Sequence, residues 1–431
     1  MFEAIAARGD AAAAVTGEAW LQAMLDAEAA LARALASAGV IDGEEAEAIA
    51  SACVADRFDA SAIAEAASAA GNPVVPLVEA LTRAVEGPAA AHVHRGATSQ
   101  DILDTAAMLI AARALDALQD DLVGARAAAA ALARAHRDTP VVGRTLLQQA
   151  VPVTFGLKAA GWKAGLEDAR RWLDELRVER LAAQLGGAAG TLASLGEAGP
   201  AVAEAYAEAL GLPEPVIPWH TLRGRVGELA SALAVASGAV AKIARDVILL
   251  AQTEVAEVRE IERSGDEAPG RGRPGGSSAM PHKRNPVAAI CAAACAQQAP
   301  GLAATLLGAM AHEHERAAGS WHAEWRPLGE LLRSTGSAVA WIRESLEGLE
   351  PDPERMRANL RATGGRLLAE RVKGEVAAAE LERALASDDF RAALAGLVGG
   401  ERAGELLDPA GYLGSAGAFV DRALDAYDRE G

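Results

Sequence analysis

The chain has 431 residues, 51% of them apolar but only 3% aromatic, and a net charge of −18 from 59 acidic against 41 basic residues. That balance speaks against nucleic acid or an anionic membrane surface as a partner, because both are held by clustered cations. The length exceeds what one hydrophobic core serves, so two or three domains are expected. Ala is the dominant residue and runs of Val, Ile and aromatics are nearly absent. The fold class is therefore read as all-α, with long helices packed through small side chains. Cys53, Cys291 and Cys295 show no metal spacing and read as small buried residues. The N-terminus lacks a signal pattern, and no uninterrupted apolar run reads as long enough to span a bilayer, so no membrane and a cytoplasmic location are expected.

In chain order, residues 1–95 read as an N-terminal helical domain. Leu21, Met24, Leu25, Leu31 and Leu35 share one helical face, Gly39 to Gly43 interrupts, and Gly71-Asn72-Pro73 opens a further helix. A central domain of long helices follows over residues 96–345. Thr98 and Asp101 are spaced as a capping box, so a helix starts there and continues to about His136, approaching roughly 60 Å. After a break at Asp138–Gly143, Pro152 suits the start of a second long helix towards Arg180. Gln184–Thr191 is Gly-rich, but no strand precedes it, so it is no dinucleotide fingerprint. A third long helix is expected from about Gly227 to Arg263, a fourth from Pro286 to about His314, and a fifth opening at Glu313–Trp325. His220 sits near a helix start, where an imidazole can be a satisfied core group or a substrate contact. His312, His314 and His322 carry no recognised metal motif. Beyond Pro351-Asp-Pro353, residues 346–431 read as a small C-terminal helical domain.

The segment Gly270–Pro286, GRGRPGGSSAMPHKRNP, cannot be a helix, because Gly and Pro break every turn of it. Asn285 and Pro286 announce a helix at its end. The loop thus places Lys283, Arg284, His282 and two hydroxyls, Ser277 and Ser278, at the positive end of a helix with free backbone N–H groups. That is a site for an anion.

The string from Gly276 to Pro286, GSSAMPHKRNP, resembles the signature of the fumarase/aspartase/adenylosuccinate lyase superfamily, and the resemblance extends over the rest of the chain. It implies a homotetramer with active sites shared between subunits, a small dicarboxylate or tricarboxylate substrate, and neither cofactor nor metal. It implies Ser277 as the catalytic base, with Ser278 the second candidate and Lys283 stabilising the anionic intermediate. Substrate contacts are carried over to His94, Thr98, Ser99, Thr145, Gln149, His220, Met280, Asn285, Arg316 and Ser320.

Two departures from the superfamily pattern bear on the reaction. Relatives that use a general-acid His have it where this chain has Gln149, and the Glu that orients that His is replaced by Ile290. An amide donates a hydrogen bond but cannot transfer a proton near neutral pH. Gly71-Asn-Pro-Val-Val-Pro76 also stands where adenylosuccinate lyases carry a basic, His-containing motif. A carboxylate needs no proton to leave, since its conjugate acid has a pKa of roughly 4. The residues therefore fit a cycloisomerase that closes a carboxy-muconate by adding an internal carboxylate across a double bond. They also fit a lyase that expels another stable anion, such as nitrite from a nitro-dicarboxylate. A catalytically silent relative is a third reading, but it predicts decay of Ser277, Lys283 and Asn285, and all three are intact.

Overall fold

The computed structural model describes residues 3–261, 280 and 283–428. Helices dominate it, and the described strands form two antiparallel pairs only, so the fold is all-α. The chain divides into two compact units, one comprising Met1–Asp120, Ala169–Gly238 and Ala294–Ala340, the other Asp121–Asp168, Ala239–Ala293 and Trp341–Gly431.

Helix α1 spans Gly17–Ser37. Thr16 caps it by accepting from Ala19 N–H at 3.2 Å, and the left-handed Gly39 just past its end lets Val40 N–H return to the Leu35 carbonyl. Leu21, Met24, Leu25, Leu31 and Leu35 are buried as their spacing predicts. Helix α2, Ser99–Ala135, is the longest at 37 residues. Residues 100–112 are buried on every side, which an apolar stripe alone does not foretell. Farther on, Leu118, Leu122, Ala125, Ala129 and Ala133 form the expected one-sided stripe.

Where the helices end differs from expectation in four places, each for a local reason. Pro152 does not start a helix: it lies in β2 (Gln148–Thr154), opposite Val142 of β1 (Pro140–Thr145). A two-stranded ladder has only edges, so a residue without N–H is tolerated there. Helix α3, Phe155–Glu179, starts three residues later, with Thr154 Oγ1 accepting from Leu157 N–H at 3.0 Å. Helix α4, Gly224–Ala251, stops well short of Arg263. The chain turns at left-handed Ala256 and continues as β3 (Val258–Glu260), which pairs with β4 (Leu349–Pro351). The stretch expected as one helix from Pro286 is two, α5 (Val287–Ala296) and α6 (Ala299–Ala309). Pro300 sits in the first turn of α6, where its missing N–H costs nothing, but it cannot continue α5. The last long helix, α7, opens at Ser320, not Glu313, and runs to Glu347 with Pro327 inside it.

By length and composition Val287–Ala309 is long and apolar enough to cross a membrane. It is, however, broken between α5 and α6, and 44% of its most apolar window is already buried in the chain. The C-terminal helices close their own core around Leu368, Val372, Leu381, Phe390, Leu394 and Leu406.

Candidate active site

In the first unit, six of the sequence-predicted positions lie on the segments around the start of α2. Asp101, fully buried, is their hub. Its Oδ1 accepts from Gly186 N–H at 2.9 Å and lies 2.6 Å from His220 Nε2, while its Oδ2 accepts from Gly187 and Thr98 N–H at 2.9 Å each. The Thr98 bond is the return half of the expected capping box. The Gly-rich segment therefore serves an internal carboxylate. Glycine is required there by space: a Cβ on Gly186 would stand 2.7 Å from Pro218 and 2.9 Å from the His220 ring.

His220 is buried against Asp101, and its carbonyl accepts from Gln100 Nε2 at 2.8 Å. His94 holds a left-handed backbone, with φ 60°, and places Nδ1 2.6 Å from Oε1 of the buried Glu28. Burial opposes a charged ring, but the Glu28 carboxylate, by charge and hydrogen bond, with Asp101 adding to it, raises its pKa above the ordinary histidine value. The hydroxyls of Thr98 and Ser99 are half-buried and bond to none of the described residues, as does that of Ser320 at the start of α7.

Arg316 is held at two points: Nη1 donates to Gln100 Oε1 at 3.0 Å and Nη2 to the Ala188 carbonyl at 2.9 Å. Behind Gln100 lies a buried ionic cluster. Arg223 donates to both oxygens of Asp104, at 2.7 and 3.1 Å, and to Glu324, at 2.5 and 3.0 Å, and Trp321 Nε1 donates to Asp104 at 3.0 Å. Burial opposes the Arg223 charge, but the two carboxylates override it and raise its pKa. The buried His312 ring approaches Glu324 to 3.1 Å at an angle that makes no hydrogen bond, and His322 Nε2 lies 3.0 Å from the Gly71 carbonyl. Sequence reasoning missed Gln100, Asp104, Arg223 and Glu324. A run of polar residues inside an otherwise apolar helix start, Gln100-Asp101 and Asp104-Thr105, was the available signal.

In the second unit, Thr145 and Gln149 stand exposed near the end of the β1–β2 hairpin, where Gln149 pairs with Arg144 and Thr145 with Gln148. Arg144 is fixed in turn by a two-pronged bond to buried Glu257, 2.8 Å on each side. Met280 and Lys283 are exposed, Lys283 N–H donates to the Met280 carbonyl at 3.0 Å, and Asn285 is half-buried. Ser277 and Ser278 lie outside the described residues.

The expectation of free N–H groups at the start of α5 needs correcting. Ala288 and Ala289 N–H donate to the Glu260 carboxylate at 3.1 and 2.9 Å, and Ser345 Oγ donates to it at 2.6 Å. The anion place at this helix end is filled from within, and the positive charge at this end of the loop rests with side chains such as Lys283. Ile290, one turn in, is 44% exposed, an apolar group at the position where an acid's orienting carboxylate was looked for.

A family model described as a lyase matches residues 6–301. The chain belongs to the lyase family. It is 48% identical to a 3-carboxy-cis,cis-muconate cycloisomerase of Bradyrhizobium diazoefficiens, over 95% of this chain and 94% of that one. It is 44% identical to a nitrosuccinate lyase of Streptomyces davaonensis, over 97% and 92%. The crystal structure of the 3-carboxy-cis,cis-muconate lactonizing enzyme from Pseudomonas putida superimposes with a TM-score of 0.91 at 41% identity, covering 100% of this chain and 99% of the other. The family resemblance read from the signature loop thus holds along the whole chain.

Proposed function

We propose that this lyase-family enzyme closes 3-carboxy-cis,cis-muconate to a carboxymuconolactone. The observation that carries the reading is the paired loss of the proton-transfer groups: Gln149 and Ile290 stand where an acid and its partner would be. In the ring closure, an oxygen of one substrate carboxylate bonds to an alkene carbon. The π electrons move onto the carboxylate attached to the neighbouring carbon, giving an enediolate, and a proton from Ser277 completes the C–H bond there, leaving a serine alkoxide that takes its proton back from water. Lys283 and Asn285 stabilise the enediolate, and Arg316, Thr98, Ser99 and His94 hold the remaining carboxylates. The reverse step expels a carboxylate, so no acid is needed at the oxygen in either direction, and the one proton moved is that on carbon, carried by Ser277.

The similarity to a nitrosuccinate lyase supports a second reading, expulsion of nitrite from a nitro-dicarboxylate, which leaves equally without a proton. Feeding both acids to purified protein separates the two. A kcat/KM for the muconate at least about a hundredfold above that for nitrosuccinate is expected, a discrimination of roughly 2.7 kcal/mol at the transition state. The opposite ratio, with stoichiometric nitrite, would transfer the assignment to the lyase reading.

The same reading makes the enzyme cytoplasmic and homotetrameric, with sites completed by neighbouring subunits. Leu146 and Leu147 support the tetramer. They form the hairpin tip at 96% and 74% exposure and with positive φ at both positions, a conformation and a solvation that suit neither residue alone.

A further inference from the structure

We propose that Gln100 is a positioning residue that aims the Arg316 guanidinium at the substrate carboxylate while leaving its charge undiminished. The proposal rests on the reading of Arg316 as a substrate ligand. Gln100 is fully buried one residue into α2, and its side-chain amide is saturated: Nε2 donates to Asp104 Oδ2 at 3.0 Å and to the His220 carbonyl at 2.8 Å. Both of those partners are acceptors, so the amide has one orientation only, with Oε1 turned towards Arg316. Asp104 cannot swing away to release it, because Arg223 and Trp321 hold both its oxygens. The order of control therefore runs from the buried Arg223 cluster through Asp104 and Gln100 to Arg316.

The choice of an amide has a physical consequence. The usual anchor for an arginine is a carboxylate, which would neutralise the guanidinium and weaken its hold on a second anion. Both oxygens meeting Arg316 among the described residues, Gln100 Oε1 and the Ala188 carbonyl, are neutral. Two of the five N–H groups of the guanidinium are used to fix its plane, and the rest are left with a full positive charge.

The test compares Gln100→Met, which keeps the volume and removes the acceptor, with Arg316→Met and the double variant, on whichever of the two acids the wild type turns over. Gln100→Met is expected to raise KM by about 10–100-fold and change kcat by less than about threefold, the signature of a lost binding contact. In the Arg316→Met background the same change is expected to add less than about twofold, because Gln100 acts through that side chain. Guanidinium ion is expected to restore activity to Arg316→Ala but not to the Gln100→Met/Arg316→Ala pair. A Gln100→Met KM within about twofold of wild type, or effects that multiply in the double variant, would overturn the proposal. If Arg316→Met itself keeps the wild-type KM, the reading of Arg316 fails first, and the two failures are told apart. Should Gln100→Met not melt cooperatively, Gln100→Asn keeps an amide in the cluster but withdraws the oxygen by one methylene, and the same KM-selective loss is expected of it.

Discussion

Asp101 and Arg223 show how this unit holds buried charge, each inside a shell of hydrogen-bond partners. Asp101 meets three backbone amides and one imidazole; Arg223 meets two carboxylates. Removing one member of such a cluster leaves the others desolvated and unpaired, so Arg223→Met is expected to cost about 3–5 kcal/mol, read as a fall in the denaturation midpoint. A loss below about 1 kcal/mol would contradict the burial argument. His94 gives a pH signature. Its folded pKa is raised, so the His94–Glu28 pair stabilises fully below about pH 6.5 and that contribution is lost as pH rises through the folded pKa. The gap in melting temperature between wild type and His94→Gln should be widest on the acid side and narrow towards alkaline pH. A gap independent of pH would mean that the folded and unfolded rings share one pKa and that Glu28 does not hold the charged form. At this scale the sequence showed which residue types were unusual, such as His94, Thr98 and Arg316. It did not show that Gln100 joins Arg316 to a buried cluster, because the partners lie 120 and 216 positions away along the chain.

At the scale of elements, periodicity located the long helices and failed at their ends. Nothing local announces the turn at Ala256; it is held by tertiary contacts, the Glu257 carboxylate on Arg144 and Asn359. The break between α5 and α6 is legible in Gln297-Gln298 and Pro300, which interrupt a run that is largely apolar on either side. Helix α5 carries the clearest element-level prediction. Glu260, the last residue of β3, receives the first free amides of the helix that follows the signature loop, so it ties the strand before that loop to the helix after it. Glu260→Ala is expected to cost about 1 kcal/mol, as for loss of a helix cap, and to speed hydrogen exchange at Ala288 and Ala289. Unchanged exchange at those two amides would show the cap to be dispensable.

For the whole molecule, composition alone indicated helices, and a single motif indicated the family. What it could not supply is the surface. Leu146, Leu147, Val216, Ile217 and Ile290 are exposed on this chain, and the homotetramer proposed above would account for such exposure if it covers them. Leu146→Asp with Leu147→Asp should therefore lower the mass found by light scattering and reduce activity together. A variant tetramer of wild-type mass would remove the hairpin tip from the interface. The central claim is ring closure with no acid at the oxygen and with the carbon proton delivered by the signature serine. It is tested most directly by following the ultraviolet diene absorbance of 3-carboxy-cis,cis-muconate with the wild type and with Ser277→Ala. The account predicts rapid loss of the band and a lactone product for the wild type, and a rate lower by at least about a thousandfold for the variant. An unchanged spectrum with the wild type would contradict the substrate, and a fast Ser277→Ala would contradict the mechanism.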